Sequence, residues 1–272
     1  SDMTVLIQGE SGVGKELGAQ ELHRHSERAD GNFVALDCCT LQENLFESEL
    51  FGHERGAFTG ADRMKRGLIE GAENGTLFLD EIGDIDPSIQ AKLLRVLESG
   101  QFRRLGGTKD LKANVRIVTA TNRRLDELTG DGRFRSGLYY RLSAFVIDVP
   151  PLRDRREDIA ELVGHFIRNT DISHRNKKGA SARVLKQLVE YDWPGNVREL
   201  KNVVERAIIL AGDDSEIRPQ HLTFAPGRSG NSSDVPFCEV GWVSHRSKVG
   251  SSFPVCCRAV RQSVRVYASG TC

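Results

Sequence analysis

Neither sign of charge is in excess in this sequence: 38 Lys and Arg are matched by 38 Asp and Glu over 272 residues. A formal net charge of +0 removes any global electrostatic pull toward nucleic acid or a membrane surface, so a DNA contact would need a local patch or a separate domain. Long apolar runs are missing as well. No stretch approaches the roughly 20 residues of a membrane-spanning helix, and no secretory leader opens the chain. These absences lead to the expectation of a cytoplasmic protein with no membrane partner. Cysteine is scarce and poorly spaced for chemistry. Cys38, Cys39, Cys238, Cys256, Cys257 and Cys272 include adjacent pairs but no C-x-x-C unit and no neighbouring His at ligand spacing. That pattern fits neither a zinc site nor a disulfide framework, and it predicts ordinary reduced thiols.

What is present is a repeated alternation. Short apolar runs at Thr4–Gln8, Phe33–Leu36, Thr76–Leu79, Val115–Thr119 and Phe145–Val149 are each followed by a polar or glycine-rich turn and then a helical pattern. Continuous rather than alternating apolar runs suit strands covered on both faces, so the fold class is α/β, a parallel sheet flanked by helices. Pro87 after Asp86 opens a helix running to about Ser99, with Ile89, Leu93, Leu94 and Leu97 on one face. From Asp154 onward the strands stop. Asp154 with Glu157, and Asn196 with Glu199, resemble capping boxes, and helices over Glu157–Asn169, Ser181–Tyr191 and Asn196–Ala211 read as a small α-helical domain. The first residue is Ser1, and apolar Val5 follows almost at once, so the chain is expected to begin inside a larger protein or to have been trimmed.

Gly9-Glu10-Ser11-Gly12-Val13-Gly14-Lys15 sits between the first apolar run and the helical pattern Glu16–Ser26. This is the strand–G-x-x-x-x-G-K–helix order of a P-loop, in which backbone N–H groups and a helix N-terminus converge on phosphate oxygens while Lys15 reaches the β- and γ-phosphates. Glu16 stands where the general motif has a Ser or Thr magnesium ligand. The plain alternative is a glycine-rich structural turn. Thr76–Leu79 then runs into Asp80-Glu81. A buried strand ending in two carboxylates places Asp80 to hold Mg²⁺, mainly through water, and Glu81 to polarise an attacking water. Read alone, the two acids are solvated charges entering a turn.

With those residues in place, the chain resembles the nitrogen-regulator (NtrC-like) class of AAA+ activators. Gly9–Glu16 reads GESGVGKE, where Glu after the lysine is typical of that class, and Gly56-Ala57-Phe58-Thr59-Gly60-Ala61 spells its sigma-54 signature. The resemblance runs from Thr4 to about Thr223. It implies an AAA+ P-loop NTPase core at 1–152, a helical lid at 153–225, and ATP and Mg²⁺ as cofactors. It further implies ATP hydrolysis in a homo-oligomeric ring, hexameric or heptameric, that remodels sigma-54 RNA polymerase. Phe58 and Thr59 are then the contact to sigma-54, on a loop hinged by Gly56 and Gly60 with Ala57 and Ala61; without the resemblance, Phe58 reads as a core residue. Asn122, after Val115–Thr119, corresponds to sensor I. Arg135 and Arg141 correspond to arginine fingers offered to a neighbouring subunit, the alternative being surface salt bridges. Arg198, in Trp193–Leu200, corresponds to sensor II, whereas Trp193 reads as packing. Gln101–Lys112, with Arg103, Arg104, Gly106 and Gly107, corresponds to a second surface loop that moves with the first, or else is a solvated hairpin.

Two positions depart from the family pattern. Asp37 stands where the family has an Asn that restrains the catalytic Glu, and Asp37 near Glu81 would repel it. Gly137 replaces an Asp between the two finger arginines. Altered coupling rather than lost hydrolysis is expected from both. DNA contact in the family comes from a C-terminal helix-turn-helix domain, yet Gly227–Cys272 shows only Ser, Gly, Val and Cys enrichment with scattered Arg258, Arg261 and Arg265. That segment, 226–272, is expected to be disordered or the product of a shifted reading frame. Two other function classes stay open at this level: a different AAA+ remodelling motor, or a nucleotide-dependent binding switch.

Overall fold

The computed structural model describes residues 2–40, 43–170 and 179–224. The segment 226–272, with Cys238, Cys256, Cys257 and Cys272, lies outside the described residues. The described chain forms two compact units divided after Val149.

The first unit carries a five-stranded parallel sheet. Its strands are β1 (Val5–Gln8), β2 (Phe33–Asp37), β3 (Thr76–Asp80), β4 (Arg116–Thr121) and β5 (Val146–Asp148), in the spatial order β2-β3-β4-β1-β5. The apolar runs become strands buried on both faces because their side chains alternate between two cores. Leu6, Leu77, Leu79 and Ile117 join one apolar cluster, and Val5, Ile7, Phe78, Val118 and Ala120 join the other. Six helices flank the sheet: α1 (Lys15–Arg24), α2 (Glu43–Phe51), α3 (Leu68–Gly71), α4 (Pro87–Ser99), α5 (Leu125–Gly130) and α6 (Ser136–Leu142). Helix α4 starts as its sequence demands: Pro87 occupies the first turn, the Asp86 side chain accepts from the Ser88 N–H at 2.8 Å, and Gly100 ends the helix in a left-handed conformation. Ile89, Leu93 and Val96 are buried, with Leu94 and Leu97 packed beside them.

Strand order explains where chemistry is possible. The C-terminal ends of β1, β3 and β4 lie side by side, which delivers the P-loop, Asp80-Glu81 and Asn122 to one edge of the sheet.

The second unit contains α7 (Ile159–Asn169), α8 (Ala182–Glu190) and α9 (Asn196–Leu210). Ile159, Leu162, Val163 and Ile167 of α7 face Val197, Leu200, Val203, Val204 and Ala207 of α9 in a single apolar core. Trp193 is fully buried there and donates its indole N–H to the Leu188 carbonyl at 2.7 Å, which makes it a packing residue. Three expectations change. Asp154 does not cap α7; it closes a 3₁₀ turn (Leu152–Asp154), and a second turn (Arg156–Asp158) intervenes before the helix begins. At α9 the acidic half of the capping box survives one residue earlier, with Glu199 accepting from the Gly195 N–H at 2.8 Å. The Asn196 side chain instead turns inward to accept from the Leu152 N–H at 2.8 Å, tying the start of the unit to its last helix. Strand structure also does not stop at Asp154, because Gly179–Ala180 pairs in parallel with Glu216–Ile217.

Candidate functional site

Residues 9 to 14 form the turn from β1 into α1. Val13 is fully buried against the sheet, and Gly14 caps α1 at φ 100°, a conformation that favours glycine, so the first amides of the helix stand at the mouth of the turn. Lys15 is only 5% exposed. Its Nζ folds back over the loop, donating to the Gly9 carbonyl at 3.1 Å, the Glu10 carbonyl at 3.4 Å and Glu81 Oε1 at 3.4 Å. Glu16 points along the helix instead, and accepts from Gln20 Nε2 at 3.3 Å.

The Glu81 carboxylate is held from two sides. Lys15 takes Oε1, and the backbone N–H of Asn122, just past the end of β4, donates to Oε2 at 3.0 Å. Thus Lys15 and the backbone of Asn122 meet on one carboxylate. Glu81 itself has φ 51° and ψ 47°. A left-handed conformation at a non-glycine residue costs of order 1–3 kcal/mol, and such strain concentrates at functional sites. Asp80 lies beside it and accepts from the Glu81 N–H at 3.0 Å. Burial, then the Glu81 charge and more weakly that of Asp37, push the Asp80 carboxyl up to about 6, with Lys15 opposing. Burial and the neighbouring Glu81 charge thus both oppose ionisation of Asp80, and a divalent cation at the carboxylate would offset both. Among the described residues no group of three His, Cys, Asp or Glu side chains encloses a metal. Mg²⁺ that keeps waters and phosphate oxygens as its other ligands suits such a site, so Asp80 fits the role.

Asp37 does not reach Glu81 by any hydrogen bond on view; its Oδ1 accepts from the Cys39 N–H at 2.8 Å, and its charge acts on Asp80. Two contacts were not signalled by sequence pattern. Asp84, in the turn after Glu81, pairs with Arg123 and accepts from the Cys39 thiol at 3.2 Å, clasping the Asn122 segment to the Asp80-Glu81 turn. Cys38 and Cys39 are free thiols, and burial together with neighbouring acids pushes the Cys39 thiol up to about 12.

The GAFTGA hexapeptide closes on itself. The Gly56 N–H donates to the Ala61 carbonyl at 2.8 Å, and the Ala61 N–H to the Phe58 carbonyl at 3.0 Å, with Gly56 at φ 81° and Gly60 at φ 99°. Phe58 and Thr59 are exposed at the tip, while Ala61 is buried at the base. The second loop is docked on the first. Glu54 N–H donates to the Leu105 carbonyl and Leu105 N–H to the Gly52 carbonyl, both at 2.9 Å. A Cβ on Gly106 would come within 2.8 Å of the Ala57 Cβ, so the two loops touch backbone to side chain there. Arg104 crosses the junction, forked onto Glu70 at 2.8 and 2.7 Å and bonded to Glu54 Oε1 at 2.9 Å. That pairing holds Glu70 below the usual carboxylate range. The second loop is thus no free solvated hairpin; no sequence spacing marked Glu54 and Glu70 as its partners.

Arg135 and Arg141 lie exposed on α6 and its cap, each guanidinium resting on a carbonyl of α4: Arg135 Nε on Pro87 at 3.2 Å, Arg141 Nε on Leu97 at 3.2 Å. Neither forms an acidic salt bridge among the described residues. Buried Gln90 sets the first of them, accepting from the Arg135 N–H at 2.8 Å. At Gly137 an added Cβ would meet only Leu94 Cδ2 at 3.4 Å, which is ordinary contact. Arg198 stands exposed in the first turn of α9.

Comparison with known proteins agrees with this layout. The family model for the sigma-54 interaction domain matches residues 1–148, and the one for the AAA+ ATPase lid domain matches residues 153–235. Nitrogen fixation protein AnfA of Azotobacter vinelandii is 53% identical over 212 residues, covering 78% of this chain and 40% of AnfA. Transcriptional regulatory protein ZraR of Escherichia coli (strain K12) is 47% identical over 247 residues, covering 88% of this chain and 56% of ZraR. The crystal structure of NtrX from Brucella abortus in complex with ATP superposes with a TM-score of 0.72 at 39% identity, covering 82% of this chain and 51% of that one. The chain therefore spans between 40% and 56% of the length of these relatives. No helix among the described residues is long and apolar enough to cross a membrane. With both units matched and the GAFTGA hexapeptide displayed on the surface of the first, the chain belongs to the sigma-54 interaction domain family of NtrC-like AAA+ transcription activators.

Proposed function

We propose that this chain hydrolyses ATP at the edge formed by β1, β3 and β4, and uses the cycle to move the hexapeptide against sigma-54 in RNA polymerase. The observation that carries the reading is the convergence of Lys15 and the Asn122 N–H on the two oxygens of Glu81. A γ-phosphate arriving at the P-loop would draw Lys15 away from Glu81, because a phosphate oxygen is the stronger acceptor for an ammonium group. Glu81, released on that side but still tethered to Asn122, is then the base that orients the attacking water. Asp80 would hold Mg²⁺, which when bound supplies charge neutralisation on the phosphate oxygens. Tethering Glu81 to the Asn122 segment also makes the site sensitive to the presence of the γ-phosphate.

Arg135 and Arg141 are exposed cations without a carboxylate partner among the described residues, and both rest on carbonyls that a neighbouring nucleotide would outcompete. In this reading they complete a site on an adjacent protomer of a ring, so hydrolysis requires assembly. Phe58 and Thr59 are the surface that meets sigma-54, and the Arg104 junction makes the two loops move together.

Steady-state ATPase measured against protein concentration tests the assembly requirement. A cooperative rise in rate per protomer is expected, and a rate per protomer independent of concentration would remove the trans site. Capture of sigma-54 in the presence of an ATP transition-state mimic tests the partner. Wild type is expected to bind and Thr59→Ala to lose binding; equal capture by both would rule out the hexapeptide as the contact.

A further inference from the structure

Beneath the exposed tip of the hexapeptide lies a buried polar pair that the proposed chemistry does not use. Ser48, on α2, is 3% exposed, and His53, just past the end of that helix, is 9% exposed. Their Oγ and Nδ1 atoms are hydrogen-bonded at 2.8 Å. The imidazole ring meets the Phe58 ring edge to face, with centroids 5.0 Å apart and planes at 69°. An imidazole buried with one nitrogen committed to a serine has a fixed ring orientation, and an edge-to-face aromatic contact depends on that orientation.

The backbone around His53 is equally constrained. His53 pairs antiparallel with Lys65, on the segment that leaves the hexapeptide, and bridges in parallel to Leu105 of the second loop. Both segments that frame the hexapeptide are therefore anchored on the residue whose ring carries Phe58. Phe58 remains 39% exposed, so the imidazole contact leaves part of its ring open to solvent.

We propose that His53, oriented by Ser48, is a positioning residue that seats Phe58 and so fixes the resting pose of the hexapeptide, and that full use of the Phe58 ring by a partner requires this contact to open. The functional consequence rests on the reading that the tip meets sigma-54; the seat itself does not. A displacement of either framing segment shifts the His53 backbone and tilts the imidazole, so loop movement and Phe58 release are one event rather than two.

Amide hydrogen exchange on the full chain tests the seat without any partner. The reporters are the N–H groups of Gly56, Ala57, Ala61 and Asp62, all hydrogen-bonded within or beside the turn. Loss of one aromatic contact is expected to speed their exchange about 3- to 10-fold in His53→Ala. Phe58→Leu should give a similar rise, and the double substitution no further rise, because both remove one contact. His53→Phe, which keeps a ring in place, should stay close to wild type. Unchanged exchange in His53→Ala, or multiplying effects in the double substitution, overturns the seat. Should His53→Ala also lose protection along Thr76–Asp80, Phe58→Leu decides alone: a local rise supports the seat and no change overturns it. Sigma-54 capture with the ATP transition-state mimic is read separately. Tighter capture by His53→Ala is expected, whereas no capture by wild type or variant defeats the sigma-54 reading and leaves the seat to the exchange result.

Discussion

Asp37 and Asp80 are register partners at the ends of adjacent parallel strands, and the charge of the first raises the pKa of the second. The Asp37 carboxylate also closes a local turn by accepting from the Cys39 N–H. An Asn at this position keeps that acceptor and removes the charge. Asp37→Asn is therefore expected to leave the fold intact and to lower the Asp80 titration midpoint, because a neighbouring like charge is removed. Carbon-13 NMR of the Asp80 carboxyl follows this directly. A midpoint that does not move would mean the two carboxylates are electrostatically separate, and the altered coupling expected from the departure at 37 would lose its cause.

The sheet and the phosphate turn were legible because they rest on local rules. An apolar run, a glycine-rich turn and a helix in that order predict β1, the P-loop and α1, and Pro87 after Asp86 predicts the start of α4. The junction of the two loops was not legible. Arg104, Glu54 and Glu70 are far apart in the chain, and exposed charges in a sequence carry no mark of which partner they will find. The capping boxes failed for a related reason. Asn196 has the right residue type, but a buried backbone N–H at Leu152 needed an acceptor more than the helix end did. Asp37 shows the same limit: its place in the sequence predicts repulsion of Glu81, whereas the fold turns it to Cys39 and lets its charge fall on Asp80.

Arg104→Ala should both destabilise the first unit and disconnect the loops. The guanidinium is 14% exposed and its main partner Glu70 20% exposed, so truncation leaves a half-buried carboxylate without its cation. A cost of about 2 kcal/mol is expected, as for hydrogen bonds to charged groups. Lysine cannot reproduce the fork onto Glu70 and should recover less than half of the loss. Thermal unfolding measures the first effect; sigma-54 capture, with ATPase as the control, measures the second. A variant as stable as wild type would show that the junction is maintained by Gly106 and the backbone bonds alone.

Gly137→Asp should stabilise α6. The position is in the first turn, has open space beyond Leu94, and gains both helix propensity and a favourable acid near the helix N-terminus. A gain of about 0.5 kcal/mol is expected by denaturant unfolding. The same acid would sit between Arg135 and Arg141, so the ATPase rate at saturating protein should change with it. A rate identical to wild type would indicate that this departure does not touch the fingers.

The trans role proposed for those arginines can be tested by complementation. Arg135→Ala lacks the finger but keeps its own P-loop, and Lys15→Ala lacks the P-loop lysine but keeps the fingers. Each alone should lose about a thousandfold in rate. Mixed in equal amounts, they should regain a substantial fraction of wild-type activity, because some interfaces then join an intact phosphate site to an intact finger. No recovery on mixing, with assembly verified by sedimentation, would place Arg135 in the site of its own protomer or outside any site.

Asp80 supplies a pH dependence of opposite sign to that of most acids. Its folded-state pKa is raised from 3.8 to about 6, so the folded protein holds a proton that the unfolded chain releases. Stability from this group is fully present below the unfolded value near 4, and is lost as pH rises through about 6. The shift corresponds to at most about 3 kcal/mol, and partial solvent access reduces that to roughly 1–2 kcal/mol. In protein free of nucleotide and divalent cation, Asp80→Asn should therefore unfold at a higher temperature than wild type at pH 7.5, and the two should converge near pH 4. Adding Mg-ATP should narrow the gap at pH 7.5, since a cation at the carboxylate favours its ionised form in wild type and finds only an amide in the variant. Unfolding curves for wild type and Asp80→Asn that stay parallel from pH 4 to 8 would mean that Asp80 titrates alike in the folded and unfolded chain, and the raised carboxyl argued for this site would be gone.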